Sequence, residues 1–436
     1  MLTLPNGGLA LAALEDQLLL PGVKGLPITE PLRQGAIGVQ GWNLLRADTS
    51  FPVAVLKTTA LRHNLDWMRR FCASTGAVLA PHGKTTMSPQ LFGAQLANGA
   101  WGMTLASATQ VQLAHRFGVR RVLLANQLVA PADIRSILQL LHGDPDFEFV
   151  ALADSIDGVA RLSQAVVAQG LATPLRLLVE LGMPGKRAGC RTQDEAMPVA
   201  RAIAAAPGLA LAGVEGYEGL VSGHDHHAEA QSADAFVTQL VQLLRAADAE
   251  GLFSGPQVIL SAGGSAYFDI VAHGFAKTGA LSHPLLAILR SGCYLTSDHG
   301  NYLRHIEHLE RRDSTLSGPG LQPALEVWSI VQSRPEANLA ILSMGKRDAS
   351  YDIELPIALL SHRPGPGRPQ ALPAGCEIFK MNDQHAYLRV PDGFALGVGD
   401  LVACGISHPC TTFDKWPLLL AVDDDYNVLH GVNTFF

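Results

Sequence analysis

From residue 51 onward the chain alternates short apolar runs with longer stretches whose apolar residues recur at helical spacing. Eight runs stand out: 77–80, 101–104, 121–125, 147–154, 175–180, 211–216, 257–261 and 286–290. The stretches between them supply helices. Residues 88–98 carry Leu91, Phe92, Gln95 and Leu96, with Pro89 placed for a first turn. Residues 107–117 set Val111, Ala114 and His115 on one face before Gly118, and 228–250 is amphipathic through Phe236, Leu240, Leu243 and Leu244. Eight strand–helix units in succession predict a closed parallel (β/α)8 barrel. The count alone leaves a doubly wound open sheet as the structural alternative.

Past residue 296 the helical spacing fades. Runs at 325–331, 339–342, 387–390, 401–404 and 418–422 alternate with Gly and Pro, which predicts a second, mostly antiparallel β domain. The Pro- and Gly-rich stretch 362–375 reads as an exposed loop. Residues 1–45 are Leu-rich with one weak helical patch, an extension expected to pack with the β domain. The expected boundaries are therefore 1–45 for the extension, 46–297 for the barrel and 298–436 for the β domain.

Composition narrows the function classes. With 436 residues, 48% hydrophobic and 16% charged, the chain can bury a large core or interface. A net charge of -7 offers no basic excess for nonspecific binding to nucleic acid. Six cysteines without framework spacing point to a reducing, cytoplasmic setting rather than a disulfide scaffold. No secretion-signal layout and no apolar run of membrane-spanning length is present, so neither membrane nor nucleic acid is an expected partner.

In a parallel barrel, chemistry gathers at the C-terminal ends of the strands. The first end reads Pro81-His82-Gly83-Lys84-Thr85-Thr86, and a lysine in a barrel mouth suits Schiff-base formation; a surface-loop lysine is the plain alternative. The seventh end, Ser261-Ala262-Gly263-Gly264-Ser265, has glycines that let backbone N–H groups approach an anion, with a hydroxyl beside them. Tight turns use the same residues. At the fifth and sixth ends, Arg187 could hold an anionic ring substituent and Tyr217 could pack on a cofactor ring; a loop ion pair and a half-buried tyrosine are the bland readings. The run Gly223-His224-Asp225-His226-His227 reads as a solvated loop before a helix.

The β domain holds the most distinctive cluster, His408-Pro409-Cys410. In an extended segment these two side chains share a face and could grip one metal ion, with sulfur and imidazole together favouring zinc. Upstream, His385 offers an imidazole for acid–base work.

These residues carry a resemblance. Pro81 to Pro89 resembles the cofactor-lysine motif of the D-serine dehydratase and D-threonine aldolase family, fold-type III pyridoxal-phosphate enzymes with an alanine-racemase-like barrel. Arg187-Ala188-Gly189 is similar to the family's Arg-X-Gly turn, residues 261–265 to its phosphate loop, and 290–294 to the segment whose tyrosine, here Tyr294, reaches the phosphate. Residues 382–385 followed by His408-Pro409-Cys410 resemble the dehydratase branch, where a His and a Cys bind zinc. The resemblance implies pyridoxal phosphate on Lys84, a zinc ion on His408 and Cys410, and a D-hydroxyamino acid substrate. The implied reaction is dehydration and deamination to a 2-oxo acid and ammonia, in a homodimer. Retro-aldol cleavage and racemisation are the alternatives.

Overall fold

The computed structural model describes residues 5–221, 225–264, 267–312 and 318–436, without side chains over 310–312. Two compact units divide the chain. One comprises Arg69–Lys84 and Asn98–Gly292; the other comprises the chain up to Met68, Thr85–Ala97 and Cys293–Phe436.

The first unit is the barrel. Eight parallel strands run in the order Val78–Leu79, Leu285–Leu289, Val258–Ala262, Leu209–Gly216, Leu175–Leu181, Glu148–Ala153, Arg121–Gln127 and Met103–Leu105. Its two ends meet. Thr104 N–H donates to Pro81 O at 2.9 Å and Trp101 N–H to Leu79 O at 2.7 Å, and His82 bridges Thr104 in parallel. That closure settles the barrel against the open sheet. The interior is filled by Ala80, Leu123, Val150, Leu152, Leu178, Ala212, Ile259 and Ile288, all buried. Helices begin where side chains cap them: Ser107 accepts from Gln110 N–H ahead of Ala108–Arg116, and Ser155 from Gly158 N–H ahead of Ile156–Gln169.

The second unit is built on a largely antiparallel sheet. Leu325–Glu336 lies at its centre, paired with Leu339–Leu342, Leu401–Gly405 and Val53–Lys57. The strand Val53–Lys57 falls in the range expected for the barrel. It instead pairs antiparallel with Leu325–Glu336 and parallel with Leu418–Val422. Its residues Val53 to Leu56 are buried on both faces, which suits an interior strand and explains the unbroken apolar run. The N-terminal segment shares this unit's core: Leu19, Leu26, Ile37 and Leu44 pack with Trp328, Leu401 and Leu420. The expected loop at 362–375 is interrupted by the short strand Gln370–Ala371, which pairs with Ile357–His362. No helix among the described residues is long and apolar enough to cross a membrane.

Candidate functional site

Within the barrel unit the strand ends converge on Arg290. Its Nη2 donates to Gly216 O at 2.6 Å, its Nη1 pairs with the Glu215 carboxylate, and its backbone O accepts from His82 N–H at 3.1 Å. Both side chains of the ion pair are almost fully buried. Burial drives the Glu215 carboxyl up to about 8, against the pull of Arg290. A short contact from the strand end at Gln127 meets Glu180, whose carboxyl is likewise raised by burial. His82 sits in the field of Lys84, Arg290 and Arg187; burial first, then those charges, hold its ring well below its ordinary value and so neutral. Its Nδ1 is buried and has no hydrogen-bond partner among the described residues.

Arg187 reaches over the Tyr217 ring, 4.4 Å from its centroid. The loop that carries it is tied down at several points. Gly189 N–H donates to Asp154 Oδ2 at 3.0 Å, and Arg191 reaches back to the carbonyls of Lys186, Arg187 and Ala188. Gly189 has a φ of +102°, and a Cβ there would come within 2.5 Å of Gly182 N, so the Arg-X-Gly turn needs its glycine.

The glycine loop differs from the expected phosphate cradle in one donor. Gly263 N–H is taken by the buried Glu218 carboxylate at 2.9 Å, so it is not offered to an anion. Gly264 keeps the neighbouring space open: a Cβ there would lie 3.0 Å from Tyr217 Cε2. Ser265 and His224 lie outside the described residues. Asp225, next to His224, accepts from Ala228 N–H at 2.8 Å and starts the helix His226–Ala249, in line with a loop that serves the helix.

In the second unit Tyr294 is buried, and its hydroxyl accepts from Gln95 Nε2 at 3.3 Å. His408 and Cys410 lie side by side, for a different reason than expected. The backbone is not extended there; Pro409 is helical and opens the short helix Cys410–Phe413. His408 Nδ1 is 2.5 Å from Asp352 Oδ2, and Thr411 Oγ1 donates to Asp352 Oδ1 at 2.7 Å. Cys410 Sγ also lies 3.7 Å from Cys293 Sγ and 3.5 Å from Thr85 Oγ1. The neighbouring Cys293 sulfur and His408 ring hold the Cys410 thiol well below its ordinary value, and the proximity of Cys410 lifts His408 to about 9. Among the described residues no three His, Cys, Asp or Glu side chains converge as a metal cage. His385 stands in the turn between Glu377–Met381 and Ala386–Arg389, its carbonyl accepting from Asn382 N–H at 2.8 Å, and its side chain bonds to neither His408 nor Cys410.

Glu215, Glu218, Asp352 and Cys293 escaped the reading of the sequence. For Glu215 and Arg290 a signal existed: a charge at the end of an otherwise apolar strand. Asp352 lies 56 residues from His408 and has no such mark.

A closed parallel barrel joined to an antiparallel sheet unit, with a lysine at the first strand end, defines the alanine-racemase-like class of pyridoxal-phosphate enzymes. The chain belongs to that fold-type III family: the sequence model "Alanine racemase, N-terminal domain" matches residues 56–295, and "Putative serine dehydratase domain" matches 324–422. It is 26% identical to the 3-hydroxy-D-aspartate aldolase of Paracoccus denitrificans (strain Pd 1222), over 84% of this chain and 87% of that one. It is 24% identical to the D-threo-3-hydroxyaspartate dehydratase of Delftia sp. (strain HT23), over 89% and 99%. The solved D-threonine aldolase of Filomicrobium marinum superposes with a TM-score of 0.73 at 23% identity, covering 89% of this chain and 95% of that one.

Proposed function

We propose that the chain is a pyridoxal-phosphate lyase for D-amino acids bearing a β-hydroxyl, and that it eliminates this hydroxyl to give a 2-oxo acid and ammonia. The observation that carries the reading is the closely spaced pair His408 and Cys410, with Asp352 on His408 Nδ1 and Cys410 Sγ 3.5 Å from Thr85 Oγ1, the residue that directly follows Lys84 in the chain.

The barrel-end residues fit the cofactor. His82 Nδ1 and Arg290 Nε are buried polar atoms without a partner among the described residues, and Gly264 leaves open the space beside Tyr217 that a Cβ would fill. Lys84 would hold the cofactor, with Arg187, Tyr217 and the glycine loop around it. When bound, pyridoxal phosphate takes up the electron pair left at Cα. The Lys84 amine, once free, would accept the Cα proton at Nζ. Neutral His82 offers a hydrogen bond without adding charge beside Lys84. The Arg290–Glu215 pair fixes the Gly216 carbonyl and so the strand end on which Tyr217 stands.

The donor set at His408 and Cys410 suits a soft divalent ion, and Asp352 on Nδ1 orients the imidazole as carboxylates do for metal-bound histidines. Such an ion, zinc in this reading, would act as a Lewis acid on the β-oxygen. Two protein ligands leave positions for substrate and water.

Retro-aldol cleavage is the second reading, favoured by the aldolase among the relatives. D-Threonine separates the two in one tube. 2-Oxobutyrate with ammonia, lost on chelation, is expected; glycine with acetaldehyde would replace dehydration by aldol chemistry.

A further inference from the structure

Of the six cysteines, two meet sulfur to sulfur. Cys293, in the turn Cys293–Leu295, and Cys410, at the start of Cys410–Phe413, come from segments 117 residues apart, with their Sγ atoms 3.7 Å from each other. Thr85 Oγ1 is within 3.5 Å of one and 3.9 Å of the other. Both residues are partly exposed and neither is in a disulfide. Cys72, Cys190 and Cys404 are buried apart from any second sulfur. A disulfide requires an Sγ–Sγ distance near 2.05 Å, so the two sulfurs need approach by roughly 1.7 Å.

The lyase reading uses Cys410 and gives Cys293 no task. We infer that Cys293 and Cys410 form a peroxide-responsive thiol pair that closes reversibly to a disulfide. In the first step the Cys410 thiolate attacks a hydroperoxide oxygen; the O–O bond breaks, two electrons pass from sulfur to oxygen, and hydroxide (or alkoxide) leaves, giving a sulfenic acid. In the second, Cys293 sulfur attacks the Cys410 sulfur and displaces its hydroxyl, which leaves as water with the Cys293 thiol proton. A dithiol then reverses the bond by exchange. A closed disulfide withdraws the sulfur from any metal, a consequence that rests on the lyase reading.

The test treats the pyridoxal-phosphate-loaded chain with graded hydrogen peroxide and maps its peptides by mass. The expected product is one cross-linked pair containing Cys293 and Cys410, lighter by two hydrogens and split by dithiothreitol. The Cys293→Ser variant should lack that product and carry Cys410 on to sulfinic acid. Sulfinic or sulfonic acid on Cys410 in the unsubstituted chain, with Cys293 still a thiol at every dose, overturns the proposal. Turnover measured on the same samples keeps the two readings apart: cross-linking with full activity upholds the thiol pair and removes Cys410 from the lyase site.

Discussion

Asp352 holds His408 by its Nδ1 nitrogen at 2.5 Å, which leaves the opposite ring nitrogen for a ligand. The carboxylate is itself fixed through its other oxygen by Thr411. If the pair binds a divalent ion, this contact sets both the tautomer and the direction of the ligand. Asp352→Asn should weaken metal binding by about 10- to 100-fold while leaving the cofactor's visible absorption intact. Titration of the chelated protein with zinc measures it, and an unchanged affinity would detach Asp352 from the pair.

Lys84→Ala should abolish both the visible band of lysine-bound cofactor and turnover. Cys410→Ala, by contrast, should retain the band and lose dehydration.

A methyl group at Gly264 would press on Tyr217 at 3.0 Å and 3.1 Å. Gly264→Ala should therefore weaken cofactor binding several-fold with little change in the melting temperature. Equilibrium dialysis against pyridoxal phosphate reads the first and thermal unfolding the second. A large fall in melting temperature would instead mark the loop as structural.

Glu215→Ala leaves the Arg290 guanidinium buried without its carboxylate. Removing one partner of a buried pair costs about 3–5 kcal/mol, so denaturant unfolding should show a loss of that size. Glu215→Ala with Arg290→Met together should recover part of it.

Burial pushes His299 from 6.5 down to about 4, with Lys57 adding to the effect, and its Nδ1 has no hydrogen-bond partner among the described residues. The fold holds this ring neutral. The sign follows: its contribution to stability is complete above pH 6.5 and drains away as pH falls toward about 4. His299→Phe should flatten that acid limb of the unfolding curve. An unchanged limb would assign acid sensitivity to other groups.

Much of the barrel was legible because its strands are buried on both faces and its helices on one, so two periodicities alternate without interruption. Leu175–Leu181 and Leu209–Gly216 are nearly continuous apolar runs for that reason. The strand Val53–Lys57 carries the same apolar signature, and nothing in its own sequence tells which sheet it joins; its partners are far along the chain. Ile357–His362 and Glu377–Met381, half exposed and interrupted by bulges, lack clean alternation and were not foreseen. At the site, Lys84, Arg187 and the His408–Cys410 pair stood out as rare chemistry in short motifs. Glu218 did not, because a carboxylate that caps Gly263 N–H is recognisable only once the loop is folded. The pairing of His408 with Cys410 was anticipated from an extended backbone, yet it arises in a helical turn begun by Pro409.

The sheet that receives Val53–Lys57 is completed by residues near the other terminus; Thr58 Oγ1, just past that strand, donates to Val422 O, 364 residues away. On the ribosome, this strand emerges long before either of its neighbours exists. All eight barrel strands are synthesised in the interval, and each after the first can pair with one already made. Val53 to Leu56 must wait through that interval as an unpaired apolar edge, open to wrong partners until Leu325–Glu336 and then Leu418–Val422 arrive. Premature truncation before Leu418 would leave that edge without Leu418–Val422 for good.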